Sequence, residues 1–417
     1  MTSMTNQQGG FVMSDSRDVL VFSKRLAGGV RQIAGILKAA GKRPILVSAM
    51  HDDLNREACD GHVVVDWDTA DLQQLVEAVD RAGVVPTAVV NLVEPLISWQ
   101  VQVARHYGFP GGDSAWETLL SKVLVRSEMK RIGQSLLWFD SGLAGSYQVE
   151  TVTNYPVIVK PARDSGASRL VRRADDATHF RNHLRDMSQA AGPELEVIIE
   201  EYLDGIEFSI DGPVVDGIFR GLFFVEKAQH DERRHHDAGL RISPPQSSSV
   251  RSAAEQMVEK ISALCTDLGL SRGWLHVEGR ALADGGSELI EINPRVGGGL
   301  YEDAIIRTCG IDPVRITVLM ALGEEDVEWL KACERNEELL ALLPFEADQI
   351  GTVVHATPIE ELKRIPGVVD GYQFAEYKVT SLENENFFTE VLIAGDGVER
   401  LSEIAEEVRS AFSFRIE

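Results

Sequence analysis

The chain has 417 residues, enough for two or three domains and a large buried core, with ordinary hydrophobic (44%) and charged (25%) fractions. A formal net charge of −24 argues against a nucleic-acid partner, because phosphate backbones call for a basic face, whereas a nucleotide needs only a few local Lys and Arg. Cys59, Cys265, Cys309 and Cys333 lie far apart with no CxxC pair, which argues against a disulfide framework or zinc site and fits a reducing cytosol. No apolar run reaches the ~18 residues that cross a membrane, and residues 1–15 read as a polar, disordered lead without signal-peptide character.

From Asp18 the chain alternates strand and helix: strands at Asp18–Phe22, Pro44–Ser48, Val63–Val65 and Thr87–Leu92, with helices over Gly29–Ala40 and Leu72–Ala82. That alternation predicts a parallel, Rossmann-like α/β domain over residues 16–113. The Ala27-Gly28-Gly29 turn lacks GxGxxG and is not read as a dinucleotide site. Ser114–Ile132 reads as one helix capped at Ser114 and carrying Lys122, Arg126, Lys130 and Arg131. Taken alone, Lys122 is a surface lysine.

PVIVKP (Pro156–Pro161) sets Lys160 inside an otherwise apolar strand, where an ammonium must find an anion or snorkel out. The small polar loop after it, Ala162–Arg169, has backbone N–H groups that could wrap a phosphate. Glu196–Tyr202 is a strand ending in Glu200 and Glu201, a solvated end on its face, and further strands follow at Phe208–Ile210 and Phe219–Val225. His230, His235 and His236 invite a metal, but the Arg, Asp and Gly around them favour a mobile polar loop. Ser252–Leu268 is an amphipathic helix. Beyond Pro313–Leu322 and an acidic stretch, residues 326–417 read as a small α+β domain with strands at Gly351–Ala356, Gln373–Thr380 and Phe387–Ala394 and a helix over Val398–Ala411.

The stretch Trp274–Asp303 carries two period-2 strands joined at Asp284-Gly285. A two-residue turn there sets Glu278 opposite Glu291 and His276 opposite Asn293. Facing like charges cost a few tenths to about 1 kcal/mol, so either a cation lies between them or the turn is longer and both glutamates are solvated. Two carboxylates and an amide suit a hard ion, Mg²⁺ or Mn²⁺.

Lys122, PVIVKPARDSGASR, EEYLDGIEFSID, VEGR and ELIEINPRVGGG, in this order, resemble the ATP-grasp superfamily, and within it the carboxylate–amine ligases of biotin-carboxylase-like layout, including bacterial L-amino-acid ligases. The resemblance covers about residues 115–310. It implies an ATP-grasp domain over 114–325 with a lid at about 135–205, ATP and Mg²⁺ (or Mn²⁺) as cofactors, and small carboxylate and amine substrates, with a homodimer as the implied assembly. It implies that Lys122 and Lys160 hold phosphates, that Ser165, Gly166, Ala167 and Ser168 close over them, and that Glu200, Glu201, Tyr202 and Leu203 form the adenine hinge. Glu207 would bind the ribose, Glu278, Glu291 and Asn293 the metal, and Arg295 the reacting acyl group. Gly298 and Gly299, in the Gly297–Gly299 run, would offer N–H groups to a substrate carboxylate. The loop DSGAS is poorer in glycine than the family's usual lid, so Arg163 or Arg169 is expected to share its work. Two other activities remain open on these residues: a bicarbonate-activating, biotin-carboxylase-like ligase and a non-catalytic ATP-binding regulator.

Overall fold

The structure, a computed structural model, describes residues 16–24, 29–163, 168–227, 239–324, 328–331, 333, 336–374, 376–382 and 385–417. The expected polar lead, Ala27-Gly28, the phosphate-loop residues Asp164, Ser165, Gly166 and Ala167, and the three clustered histidines lie outside these residues.

Four parallel strands open the chain, β1 (Asp18–Phe22), β2 (Arg43–Ser48), β3 (Gly61–Val64) and β4 (Pro86–Val90), in the order β3-β2-β1-β4. β1 is buried along its whole length, as expected of a parallel strand covered on both faces. One face packs Leu20, Phe22 and Val47 on Leu75, Val79 and Val103; the other packs Val19, Val21 and Leu46 on Ile33, Leu37, Val314 and Val318. The last two belong to helix Pro313–Leu322, so a late helix returns to seal the N-terminal sheet.

Where one helix was expected over Ser114–Ile132 there are two, Ser114–Leu119 and Lys122–Arg131. Ser121 breaks the run because its hydroxyl caps the second helix, accepting from the Leu124 N–H at 3.3 Å. Lys122 thereby stands in the first turn of the second helix, its N–H donating to the Ala162 carbonyl at 2.9 Å.

Strands β5 (Phe139–Leu143), β6 (Val157–Pro161), β7 (Arg172–Ala174) and β8 (Glu196–Glu201) form an antiparallel sheet in the order β5-β8-β6-β7, backed by helix Ala177–Ala191. The chain continues as β9 (Gly205–Val215), β10 (Ile218–Phe219), β11 (Phe223–Lys227), β12 (Arg241–Ser243), β13 (Arg272–Leu282) and β14 (Ser287–Asn293). The remaining strands are β15 (Leu339–Glu346), β16 (Gly351–Ala356), β17 (Val368–Gln373), β18 (Tyr377–Val379), β19 (Phe387–Gly395) and β20 (Phe414–Ile416). A nine-stranded sheet runs β14-β13-β9-β11-β12-β15-β19-β17, with β10 on β9, while β18-β16-β20 make a small separate sheet. The C-terminal segment is thus α+β in content, but β15, β19 and β17 extend the central sheet, and Tyr372 of β17 with Phe387 and Glu390 of β19 reach its cavity. Helix Ser248–Leu268 covers the sheet's other face through Met257, Ile261 and Leu264.

Two expected single strands are each divided. Phe219–Val225 bends between β10 and β11, where the Arg220 and Leu222 N–H groups donate to Pro213 and Asp211 of β9. Gln373–Thr380 splits between two sheets, β17 pairing with β19 and β18 with β16.

The hairpin register holds at the site for a different reason than the turn rule supplies. The turn is one residue longer than expected: Leu282 donates to the Gly286 carbonyl, and Gly285 takes the left-handed conformation (φ +87°) usual in such a loop. A bulge at Glu278/Gly279 then restores the register, so Glu278 faces Glu291 and His276 faces Asn293.

Candidate active site

The central sheet, the four-stranded sheet and the N-terminal domain enclose one cavity of about 660 Å³. Lys160, Ser168, Glu200, Glu201, Tyr202, Leu203, Glu207, Glu278, Glu291, Asn293, Arg295, Gly298 and Gly299 all line it. Lys122 opens on a small adjoining pocket, which it shares with Glu291 and Asn293.

The facing carboxylates are neutralised by protein cations. Lys227 lies 2.6 Å from Glu278 Oε1, with His276 Nε2 at 3.4 Å from the same oxygen. Lys122 lies 3.0 Å from Glu291 Oε2, and Asn293 donates to Glu291 Oε1 at 2.9 Å. These ammonium groups relieve the repulsion for which the sequence alone offers an intervening cation or solvation. Burial pushes both carboxyls up, but Lys227 and His276 hold Glu278 well below the usual range, and Lys122 lowers Glu291 against burial and the neighbouring Glu278. Among the described residues no group of three or more His, Cys, Asp or Glu side chains is gathered as a metal cluster. Two ionised carboxylates and one amide oxygen still form an all-oxygen donor set suited to Mg²⁺ or Mn²⁺ when phosphates and water complete the shell.

Near the end of β8, Glu200 is no solvated strand end. It is buried between Lys160 (2.8 Å) and the Arg126 guanidinium, which also donates to the Leu289 carbonyl. Burial raises this carboxyl, yet Arg126 and Lys160 outweigh it and hold it at about 2. Lys160 also donates to the Ile290 carbonyl at 3.1 Å; burial, with Arg126 and Lys122 nearby, pulls its pKa down despite Glu200. Glu201 exchanges contacts with Trp138, its N–H reaching the Trp138 carbonyl and its carboxylate accepting the Trp138 N–H, both at 3.2 Å. Arg280 clamps the next residues: it donates to the Leu203 carbonyl at 2.8 Å, lies 3.5 Å from Glu207, and faces the Tyr202 ring. Arg173 of β7 covers the same ring at 4.2 Å. Glu207, expected at the ribose, is also held by Lys227 at 3.0 Å.

At the far end, Arg295 is braced by Glu94 of the N-terminal domain through Nε (3.0 Å) and Nη2 (2.7 Å). Asp211 accepts from the Gly297 N–H at 2.8 Å and from His276 Nδ1 at 2.6 Å. Burial favours the neutral imidazole, but Asp211 carries its pKa up to about 9. Tyr301, Tyr372, Phe387 and the ion pair Arg241–Glu390 close the wall, the latter two from β12 and β19. Gly299 adopts φ +67°, and a Cβ there would press on the Glu390 carboxylate, which accepts the Leu300 N–H.

Sequence reasoning missed Arg126, Asp211, Lys227, Arg241, Arg280 and Glu390. Asp211 shares the signal that exposed Lys160, a charge inside an apolar strand. Lys227, at the end of β11, is buried, and residues 228–238 after it lie outside the described residues.

Residues 153–303 match the ATP-grasp domain family. That segment is an ATP-grasp domain. The fold of the whole chain is similar to the L-amino acid ligase from Bacillus licheniformis, with TM-score 0.79 and 18% identity over 97% of this chain and 100% of that one. It is also similar to the biotin carboxylase domain of 2-oxoglutarate carboxylase from Hydrogenobacter thermophilus (TM-score 0.69, 15% identity, 96% of this chain and 91% of that one), a structure holding MgADP and bicarbonate. N5-carboxyaminoimidazole ribonucleotide synthetase from Thermotoga maritima follows (TM-score 0.69, 14% identity, 96% of this chain and 100% of that one). No curated protein matches by sequence. Among the described residues no helix is long and apolar enough to cross a membrane.

Proposed function

We propose that the chain is an ADP-forming ligase that joins a small carboxylate, such as an amino acid, to an amine. The observation that carries this reading is the convergence of Lys160, Glu278, Glu291, Asn293 and Arg295 on one cavity within an ATP-grasp domain. A protein that only sensed ATP would need the hinge and not the paired carboxylates with an arginine beyond them.

In this reading the adenine lies against Tyr202–Leu203, and Lys122 and Lys160 meet the phosphates, with Ser165–Ser168 as the expected cover. Glu278, Glu291 and Asn293 would hold Mg²⁺, which when bound would supply charge neutralisation at the transferring phosphoryl group. A carboxylate oxygen attacks the γ-phosphorus while the bond to the β,γ-bridging oxygen breaks, giving an acyl phosphate and ADP. The amine nitrogen then attacks the acyl carbon, the C–O bond to phosphate breaks, and the nitrogen gives up its proton, leaving an amide and inorganic phosphate. Arg295, fixed by Glu94, stands where charge accumulates in both steps; one preorganised contact of this kind is worth about 3–4 kcal/mol.

Phosphate release with mixed amino acids, compared with bicarbonate plus biotin, tests the proposal. Turnover with bicarbonate plus biotin alone would transfer the reading to the carboxylase reaction. No ATP consumption with any carboxylate–amine panel would refute both and leave a nucleotide-binding regulator.

A further inference from the structure

Asp211 sits in the middle of β9, fully buried, in a sheet whose neighbouring residues are Phe208, Ile210 and Val214. Burying a carboxylate costs several kcal/mol before its partners repay it, and an apolar residue of similar size commonly does better. Its three donors show what the charge holds. The Trp274 indole (3.2 Å) and the Gly297 N–H (2.8 Å) both bind Oδ1, while His276 Nδ1 binds Oδ2 at 2.6 Å. Two donors on one oxygen fix the carboxylate plane, and the fixed plane aims the other oxygen at the imidazole.

The imidazole is held as firmly. A carboxylate only accepts, so Nδ1 carries the proton, and the ring packs edge-on against Tyr301 at 5.1 Å, whose hydroxyl is tied to Ser209 at 2.8 Å. Nε2 is thereby left facing Glu278 Oε1 at 3.4 Å. Lys227 binds that same oxygen at 2.6 Å. Both polar partners of Glu278 among the described residues therefore fall on Oε1, and Oε2 has none.

We propose that Asp211 is a positioning residue that, acting through His276, sets the Glu278 carboxylate so that Oε2 is presented to a divalent cation bound with nucleotide. This rests on the reading of Glu278 as a metal ligand. The arrangement is a carboxylate–histidine–carboxylate relay of orientation. Partners one step behind a metal ligand usually govern affinity by 10–100-fold.

The probe is Mn²⁺ with ADP, free Mn²⁺ being followed by electron paramagnetic resonance on the full chain. Asp211→Asn and His276→Gln should each weaken Mn²⁺ binding in the ADP complex by about 10–100-fold. ADP affinity measured without metal should stay within about twofold, because the hinge and the lysines are untouched. Trp274→Phe removes one of the two donors on Oδ1 and leaves the Gly297 N–H there, so it should weaken Mn²⁺ binding less than Asp211→Asn does. Mn²⁺ affinity within about twofold of wild type in His276→Gln would overturn the proposal, and this variant decides the matter if Asp211→Asn does not fold. Equal losses of metal-free ADP and Mn²⁺ binding would also overturn it, in favour of a purely structural role. A wild-type chain that binds ADP but no Mn²⁺ removes the metal reading of Glu278 and this proposal with it; ligase activity enters none of these measurements.

Discussion

Arg126→Met probes the buried brace between the four-stranded sheet and the central one. Arg126 and Glu200 are 3% and 4% exposed, and the guanidinium joins Glu200 of β8 to the Leu289 carbonyl of β14. Burial alone would raise the Glu200 carboxyl, but Arg126 and Lys160 hold it at about 2 against an ordinary 4.5. A depression of that size corresponds to about 3 kcal/mol of folding free energy at neutral pH. Because the folded-state value is the lower one, the contribution is present above 4.5 and disappears as pH falls through about 2. Arg126→Met leaves Glu200 with Lys160 at 2.8 Å. The expected loss at pH 7 is therefore at most about 3 kcal/mol, the low end for breaking a buried pair. At pH 3 the wild type has already lost more than half of that stabilisation, so the same substitution should cost only about 1 kcal/mol. Urea unfolding followed by tryptophan fluorescence at both pH values measures the two differences. A loss below about 1 kcal/mol at pH 7, or equal losses at both pH values, would refute the electrostatic account.

Four further outcomes follow from the same geometry. Glu278→Gln should cut ATP-dependent phosphate release by on the order of 100-fold with an unchanged circular dichroism spectrum, and EDTA should abolish release until Mn²⁺ is restored. Arg280→Met loses the 2.8 Å contact to the Leu203 carbonyl and the Glu207 partner, so KM for ATP should rise about tenfold with kcat nearly constant; a fall in kcat alone would refute a hinge role. Gly299→Ala places a methyl at φ +67° against Glu390 and should cost about 1–2 kcal/mol in thermal unfolding. Glu291→Gln removes a negative charge and releases Lys122, so metal-free ATP should bind about tenfold more tightly while Mn²⁺ binds more weakly. Parallel loss of both would contradict the assigned roles.

Much of the site was legible because its chemistry violates local pattern. Lys160 in an apolar strand and two facing glutamates are anomalies that a sequence displays directly. The register was reached through two compensating features, a turn one residue too long and a bulge that no spacing rule announces. Arg126 stayed hidden because it shares a helical segment with Lys130 and Arg131, and only tertiary packing tells the buried cation from these exposed neighbours. Arg241 and Glu390 are separated by 149 residues and meet because β12, β15 and β19 are adjacent in the central sheet. That long-range pairing also explains why the C-terminal segment looked like an independent unit. Its strands carry ordinary alternation, and nothing local reveals which sheet they join.

On the proposed function, the charge arrangement explains how a chain of net charge −24 would present a site for a polyanion. Glu278, Glu291, Glu200, Glu207 and the arginine brace Glu94 each already hold a Lys or Arg. These pairs keep the cations oriented in a desolvated cavity, where an unpaired ammonium would lose its proton or leave. A nucleotide arriving with a divalent cation offers an exchange of partners: phosphate for the lysines and metal for the carboxylates. Each half is weaker alone, since bare phosphates meet the glutamates and a bare metal meets the lysines. The two ligands must therefore bind with positive coupling, and by linkage each raises the affinity of the other by the same factor. Glu291→Gln, which removes one carboxylate and keeps the lysine, should reduce that coupling while metal-free nucleotide binds more tightly and metal more weakly.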